Sequence, residues 1–414
     1  MMHDSGIEKT FKKDSASRLA KQTVIGVFTK LVTFISLYLY TFFVEKTDIA
    51  NIGVLQATVI VLFALVSMQI HMAIFRYSIE SKYLSTSKYV SSFSSKILLI
   101  SLVIIFPAYF LDLGIFILAL SLSFAQLAAY LKLELLRSSD SEGNYYKLLL
   151  FQVAISVFLT LLIISLFDEL DPLYIYAVNE LISWIVVHAL AQKITNNYLK
   201  ETEALKDSPK IKKFFQYGLF ILPSSLAWWA ITQSPLILIR NLFTVEEAAV
   251  YVISNRLPSV IALISFILLT SLGKNISFKF EENPRVFKRT YLKYFFFWFL
   301  GFLFFSICTL GINIMLLSSF YPDYNTSLTI QILQVLNAFL ISNFSFIGFA
   351  YMASKNVKFS SVSSIIVGLV GILTGYYLGQ FYGVFGILFG MTIGLFVGLI
   401  IRMIHIMNLN FEKK

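Results

Sequence analysis

The chain has 414 residues, of which 57% are hydrophobic, 16% aromatic and only 14% charged, whereas a soluble domain usually carries about 25% charged residues. A soluble core cannot absorb that much apolar surface, so a water-soluble globular domain is excluded. A net charge of +10 raises the question of nucleic acid, but the cations sit in short segments flanking apolar runs, and no nucleic-acid partner is expected.

Residues 1–22 are polar and lack the apolar region and small-residue cleavage site of a secretory signal. They are read as a cytoplasmic tail, and the first apolar run directs insertion. Runs long enough to cross a ~30 Å hydrocarbon layer as helices follow at 23–43, 52–72, 93–112, 114–136, 147–167, 174–194, 215–239, 248–272, 291–315, 327–352, 361–379 and 383–406. Helices are expected because a spanning segment must satisfy its own backbone, and barrel strands would alternate in polarity. The predicted fold class is therefore an all-α membrane protein of about 12 transmembrane helices. The single cysteine, Cys308, lies in an apolar run and allows no disulfide or Cys-based metal site within one chain. No metal and no cofactor are expected.

With the N-terminus inside, the inner segments hold most of the cations, including KDSPKIKK at 206–213 and GKNISFKFEENPRVFKR at 273–289. The outer segments keep only Lys46 and Arg240, together with the acids Glu45, Asp48, Asp112, Asp168, Glu169, Asp171, Glu246, Glu247 and Asp323. Orientation follows Lys and Arg in short loops, so both termini are predicted to be cytoplasmic. The longest inner connection divides the chain into a first six-helix bundle (23–194), a basic linker (195–214), a second six-helix bundle (215–406) and a tail (407–414). The first hairpins of the halves, FFVEKTDIANIGVLQAT at 42–58 and NLFTVEEAAVYVISNRL at 241–257, share Thr, acids and small residues. Parallel repeats of this kind build many secondary transporters, with the substrate between the halves.

The hairpin TVEEAAVYVISNRL, the segment TDIANIGVLQ and the following IHMAIFRYSIESK resemble the polysaccharide-repeat-unit flippases of the multidrug/oligosaccharidyl-lipid/polysaccharide exporter superfamily. The twelve-span layout and the basic middle loop extend the resemblance over nearly the whole chain. Family members often have Gly two residues before the hairpin Tyr, where this chain has Ala249, with Asn51 at the matching place of the first hairpin. The resemblance implies two bundles around a central cavity that faces each side in turn. It implies as cargo a polyprenyl-diphosphate-linked sugar for O-antigen, capsule or exopolysaccharide synthesis. It also implies a bacterial cytoplasmic membrane, contact with membrane lipids, and polysaccharide polymerase and glycosyltransferases as partners. A lipid II flippase of the superfamily has two further spans, which makes a peptidoglycan precursor the less fitting cargo.

A diphosphate leaving water needs cationic partners, so embedded bases are the first candidates for substrate binding. Lys30 lies about 10 Å into the first span at 1.5 Å per residue; it either faces a cavity or snorkels to the inner headgroups. Arg256, about 12 Å into the eighth span, sits between Asn255 and Pro258. Its planar fork suits phosphate oxygens, and in the related flippases bases on the first and eighth spans line the cavity. The alternatives for Arg256 are a structural pairing with Glu180 or outward snorkelling.

Glu180, about 9 Å inside the sixth span, is a candidate to bind a coupling proton or cation, or to neutralise a neighbouring base. His188 lies two helical turns further on roughly the same face, either as a titrating partner or as a hydrogen-bonded interior histidine. Pro223 and Pro235 should bend or break the seventh span. Trp228 and Trp229 stand near its middle, either as core or lipid-facing rings or as a platform for sugar. Gly371, Gly375, Gly379 and Gly383, then Gly386, Gly390, Gly394 and Gly398, form a small-residue series that allows close helix approach.

Two rival functions remain at this stage. A drug or cation antiporter should carry acids in its cavity, whereas here embedded bases outnumber embedded acids. A membrane-embedded glycan polymerase or acyltransferase needs a large outer loop or a histidine-based site, and the four histidines form no catalytic constellation. The chain is therefore read as a transporter rather than an enzyme.

Overall fold

The computed structural model describes residues 32, 35, 38–78, 84–110, 114–138, 142–167, 170–200, 211–282, 284–353 and 357–408. Among them the secondary structure is helical, with no strand. In chain order the helices are α1 (Lys46–Ser67), α2 (Ile70–Ser78), α3 (Leu84–Ser92), α4 (Ser94–Phe110), α5 (Gly114–Ser138), α6 (Glu142–Leu166) and α7 (Pro172–Lys200). Then come α8 (Ile211–Leu242), α9 (Val245–Ser254), α10 (Arg256–Glu282), α11 (Pro284–Ser319), α12 (Leu328–Ala353) and α13 (Val357–Asn408).

Local chemistry sets the breaks. Met68 and Gln69 adopt positive φ (41° and 55°) and separate α1 from α2. Prolines open α7 and α11, where the missing N–H is not needed. Thr244 caps α9 in a reciprocal pair with Glu247, and α9 meets α10 at a 48° bend around Asn255. Gly383, at φ 64° and ψ −150°, folds α13 into two antiparallel arms, a conformation that a side chain would strain.

Among the described residues nine helices are long and apolar enough to cross a bilayer, and the bent pair α9–α10, when counted as one span, brings the number to ten. The break at Gly383 divides α13 into two. Most of the predicted first span, 23–43, lies outside the described residues. The predicted disruption of the seventh span does not interrupt its helix: α8 runs through Pro223 and Pro235. Hydroxyls of Ser225, Thr232 and Ser234 bond carbonyls one turn back within the same helix.

In the first half, α5 is central, packed on α1, α2, α4 and α7. In the second, α12 lies against α10, α11 and α13, and α13 packs along α8. The halves meet where α1 packs on α8 and α9, and where α2 packs on α8. One apolar core crosses that seam, joining Ile49, Ile52 and Leu55 to Leu236, Ile239, Val252 and Ile253. At the predicted inner end, Tyr77 stacks near Phe214 and Tyr217, with ring centroids 5.0 and 5.5 Å apart. Many large apolar side chains, among them Phe296, Phe297, Phe304 and Ile307 of α11, face outward, as a lipid-exposed surface requires.

Candidate functional site

The seam between the halves gathers polar groups from four helical segments. The bend after α9 projects Arg256 toward α1, where its Nη2 donates to Gln56 Oε1 at 2.8 Å. Gln56 Nε2 in turn donates to the Tyr176 hydroxyl of α7 at 2.8 Å. Tyr38 donates to the Ile253 carbonyl at 3.3 Å, and the Tyr40 ring meets Tyr176 edge-on at 6.2 Å. Arg256 has no carboxylate partner among the described residues; the ion pair found there joins Arg137 to Glu134. The guanidinium is thus a half-buried cation held by a neutral amide and ringed by tyrosines. It neither pairs with Glu180 nor snorkels to the outer surface alone.

Glu180 lies one turn beyond Tyr176 on α7. Its carboxylate accepts from Gln152 (2.9 Å), Ser156 (2.6 Å) and Trp184 (3.1 Å). Three neutral donors thus serve the carboxylate where the sequence suggested a basic partner. His188 belongs to a different network: its Nδ1–H donates to the Ala128 carbonyl at 3.2 Å, and Nε2 lies 3.5 Å from Ser95 Oγ. The two residues share a helix but no hydrogen bond.

Trp229 donates from Nε1 to the Ala57 carbonyl at 2.8 Å, tying α8 to α1. Trp228, one position earlier, packs against the apolar core of the second half. Both rings are half-buried. Lys30 lies outside the described residues.

Several residues at the seam escape a search for embedded charge. Gln56, Tyr38, Tyr40 and Tyr176 are neutral, and only their convergence on Arg256 marks them. Arg402 carried a legible signal as a cation inside the last apolar run. It is buried, donates to the Phe344 carbonyl (2.7 Å), Ser363 (2.9 Å), Ser364 (2.9 Å) and the Ser360 carbonyl (3.1 Å), and stacks on Phe344. That fully bonded guanidinium pins α12 to both arms of α13.

Solved structures of membrane proteins share this fold. The chain is similar over 95% of its length to the outward-facing conformation of a multidrug resistance MATE family transporter of the MOP superfamily, covering 95% of that chain with a TM-score of 0.67 and 15% identity. The lipid II flippase MurJ, in an inward closed conformation, matches with a TM-score of 0.61 and 16% identity over 95% of this chain and 87% of that one. A point mutant of the Vibrio cholerae MATE transporter VcmN matches at 0.63 and 16% over 96% and 99%. These neighbours are transporters and a flippase, not enzymes. No family model and no curated sequence matches the chain.

Proposed function

We propose that the chain is a flippase that moves a polyprenyl-diphosphate-linked oligosaccharide repeat unit from the cytoplasmic to the outer face of a bacterial cytoplasmic membrane. The two halves, divided at 195–214, open to each side in turn. The observation that carries this reading is the Arg256 guanidinium at the seam, bonded to neutral Gln56 and without a carboxylate partner among the described residues. An embedded cation without a counter-charge attracts an anion, and its planar fork matches phosphate oxygens. A cationic drug would be repelled there. The similarity to a lipid II flippase supports a lipid-linked cargo on this fold.

In this reading Lys30 supplies a second cation, the half-buried Trp228 and Trp229 rings border the sugar path, and Glu180 takes the coupling proton or cation. His188, held in its own network, is left out of coupling. Polysaccharide polymerase and glycosyltransferases act before or after the transfer. Moving about two negative charges out of a negative interior is favoured by roughly 4 to 5 kcal/mol per 100 mV, from a field worth about 2.3 kcal/mol per charge.

The test is transfer of a fluorescent polyprenyl-diphosphate sugar in proteoliposomes. Arg256→Ala should slow transfer by about tenfold or more, equivalent to roughly 1.4 kcal/mol, and Arg256→Lys should be milder. A normal rate from the double variant Lys30→Ala with Arg256→Ala, at matched protein level, would reject the assignment.

A further inference from the structure

Away from the seam, near the predicted inner ends of α4, α5 and α7, lies a second polar cluster. Lys132 of α5 is only 5% exposed, yet among the described residues no hydrogen bond or ion pair engages its ammonium group. It lies within electrostatic reach of His188. The acceptors around it are already served: His188 donates to the Ala128 carbonyl, one turn before Lys132, and Ser95 donates to Gln192 Oε1 at 3.1 Å. The acids of the first half's interior are also engaged elsewhere, Glu134 by Arg137 and Glu180 by Gln152, Ser156 and Trp184. The cluster therefore offers positive charge with no protein anion among the described residues to meet it. Ser95, which contacts His188, is itself exposed, as is Lys193 next to Gln192 in the chain.

The stem of Lys132 is buried, and an ammonium that no protein acceptor engages needs oxygen from elsewhere for its three donors. Lys132 stands six residues before the end of α5, about 9 Å along the helix axis. With the predicted orientation, that is the depth of inner-leaflet headgroups rather than of the hydrocarbon centre. Anionic lipids of that leaflet attract such basic pockets between helices.

We propose that Lys132, with Ser95, His188 and Gln192 around it, forms a binding site for a phosphate group, supplied by the headgroup of an anionic phospholipid of the inner leaflet. Lys132 makes the direct contact with the phosphate. The site is separate from Arg256 and does not depend on the identity of the cargo.

The experiment compares the full-length protein, Lys132→Met, Lys132→Arg and the control variant Lys193→Gln in detergent and in nanodiscs of phosphatidylcholine with or without phosphatidylglycerol. Melting temperature and lipid retained in native mass spectrometry are read together. Phosphatidylglycerol should stabilise the wild type and Lys132→Arg, and Lys132→Met should lose that gain and retain at least tenfold less of the lipid. Lys193→Gln should retain it at nearly wild-type level. In lipid-free detergent Lys132→Met should melt no lower than wild type, because it keeps the buried stem and breaks no hydrogen bond; this separates loss of a ligand from loss of the fold. Equal retention of phosphatidylglycerol by wild type and Lys132→Met would overturn the site. Equal protection by inorganic phosphate at matched concentration would overturn the lipid source.

Discussion

At the scale of single residues, the environment of each embedded charge separates structural from functional demands. Glu180 is bonded by three neutral donors rather than by a base, so an amide can replace it. Glu180→Gln keeps one acceptor oxygen for Gln152 and Trp184, and the Ser156 hydroxyl can turn to accept from the new amide. The variant should melt within a few degrees of wild type, while Glu180→Leu, which strands buried donors at about 1 to 3 kcal/mol each, should melt clearly lower. If Glu180 is the coupling group, Glu180→Gln should abolish dependence of transfer on the ion gradient without losing cargo binding; gradient dependence unchanged in the folded variant would remove Glu180 from that role. Position and depth of Glu180, Arg256 and Arg402 were readable along the chain. Their partners were not, since Gln56 and Arg256 are 200 positions apart, and neutral side chains leave no mark in a hydropathy profile.

At the scale of elements, the glycine series of the last two spans does what its spacing implied. The arms of α13 are so close that a Cβ on Gly390 would meet the Gly375 backbone, and one on Gly386 the Leu378 carbonyl. These contacts are to backbone, which cannot swing away as a flexible side chain can. Gly390→Val should therefore destabilise the protein by several kcal/mol, in line with about 1 to 3 kcal/mol or more for overpacking. Gly143→Val, at a position where a Cβ meets nothing within 4 Å, should be tolerated much better. Melting curves in detergent check the contrast, and equal stability of the two variants would refute the close-packed hairpin. The prolines of α8 differ: their chemistry suggested a bend or a break, and the helix runs unbroken over 32 residues. Propensity yields there because α8 packs along both α1 and α13.

For the whole molecule, the seam is sealed at the predicted outer end. A Cβ on Gly53 would lie 2.7 Å from Val252 Cγ2, Lys46 donates to the Asp323 carbonyl at 3.1 Å, and Tyr321 contacts Tyr38 with ring centroids 5.0 Å apart. If the halves part here during transport, a bond across the seam must stop the cycle. With Cys308 replaced by Ala, the double variant Gly53→Cys with Val252→Cys should transfer cargo when reduced, lose at least nine-tenths of its rate on oxidation, and recover with a thiol. Full transfer by completely cross-linked protein would show that the halves need not separate at this point.

Membrane residence, helical class, the positions of nearly all spans and the expected orientation follow from the sequence alone. Each depends on a sum over neighbouring residues: apolar length against bilayer thickness, and the bias of Lys and Arg between alternate loops. Tertiary structure alone decided that Arg256 bonds an amide rather than Glu180, that Trp229 straps α8 to α1, that His188 lies apart from Glu180, and that the stem of Lys132 is buried while no acceptor among the described residues engages its ammonium. Those outcomes rest on contacts between segments far apart in the chain, where burial turns one missing or one present hydrogen bond into a difference of kilocalories, and no local pattern records which distant group will arrive to make it.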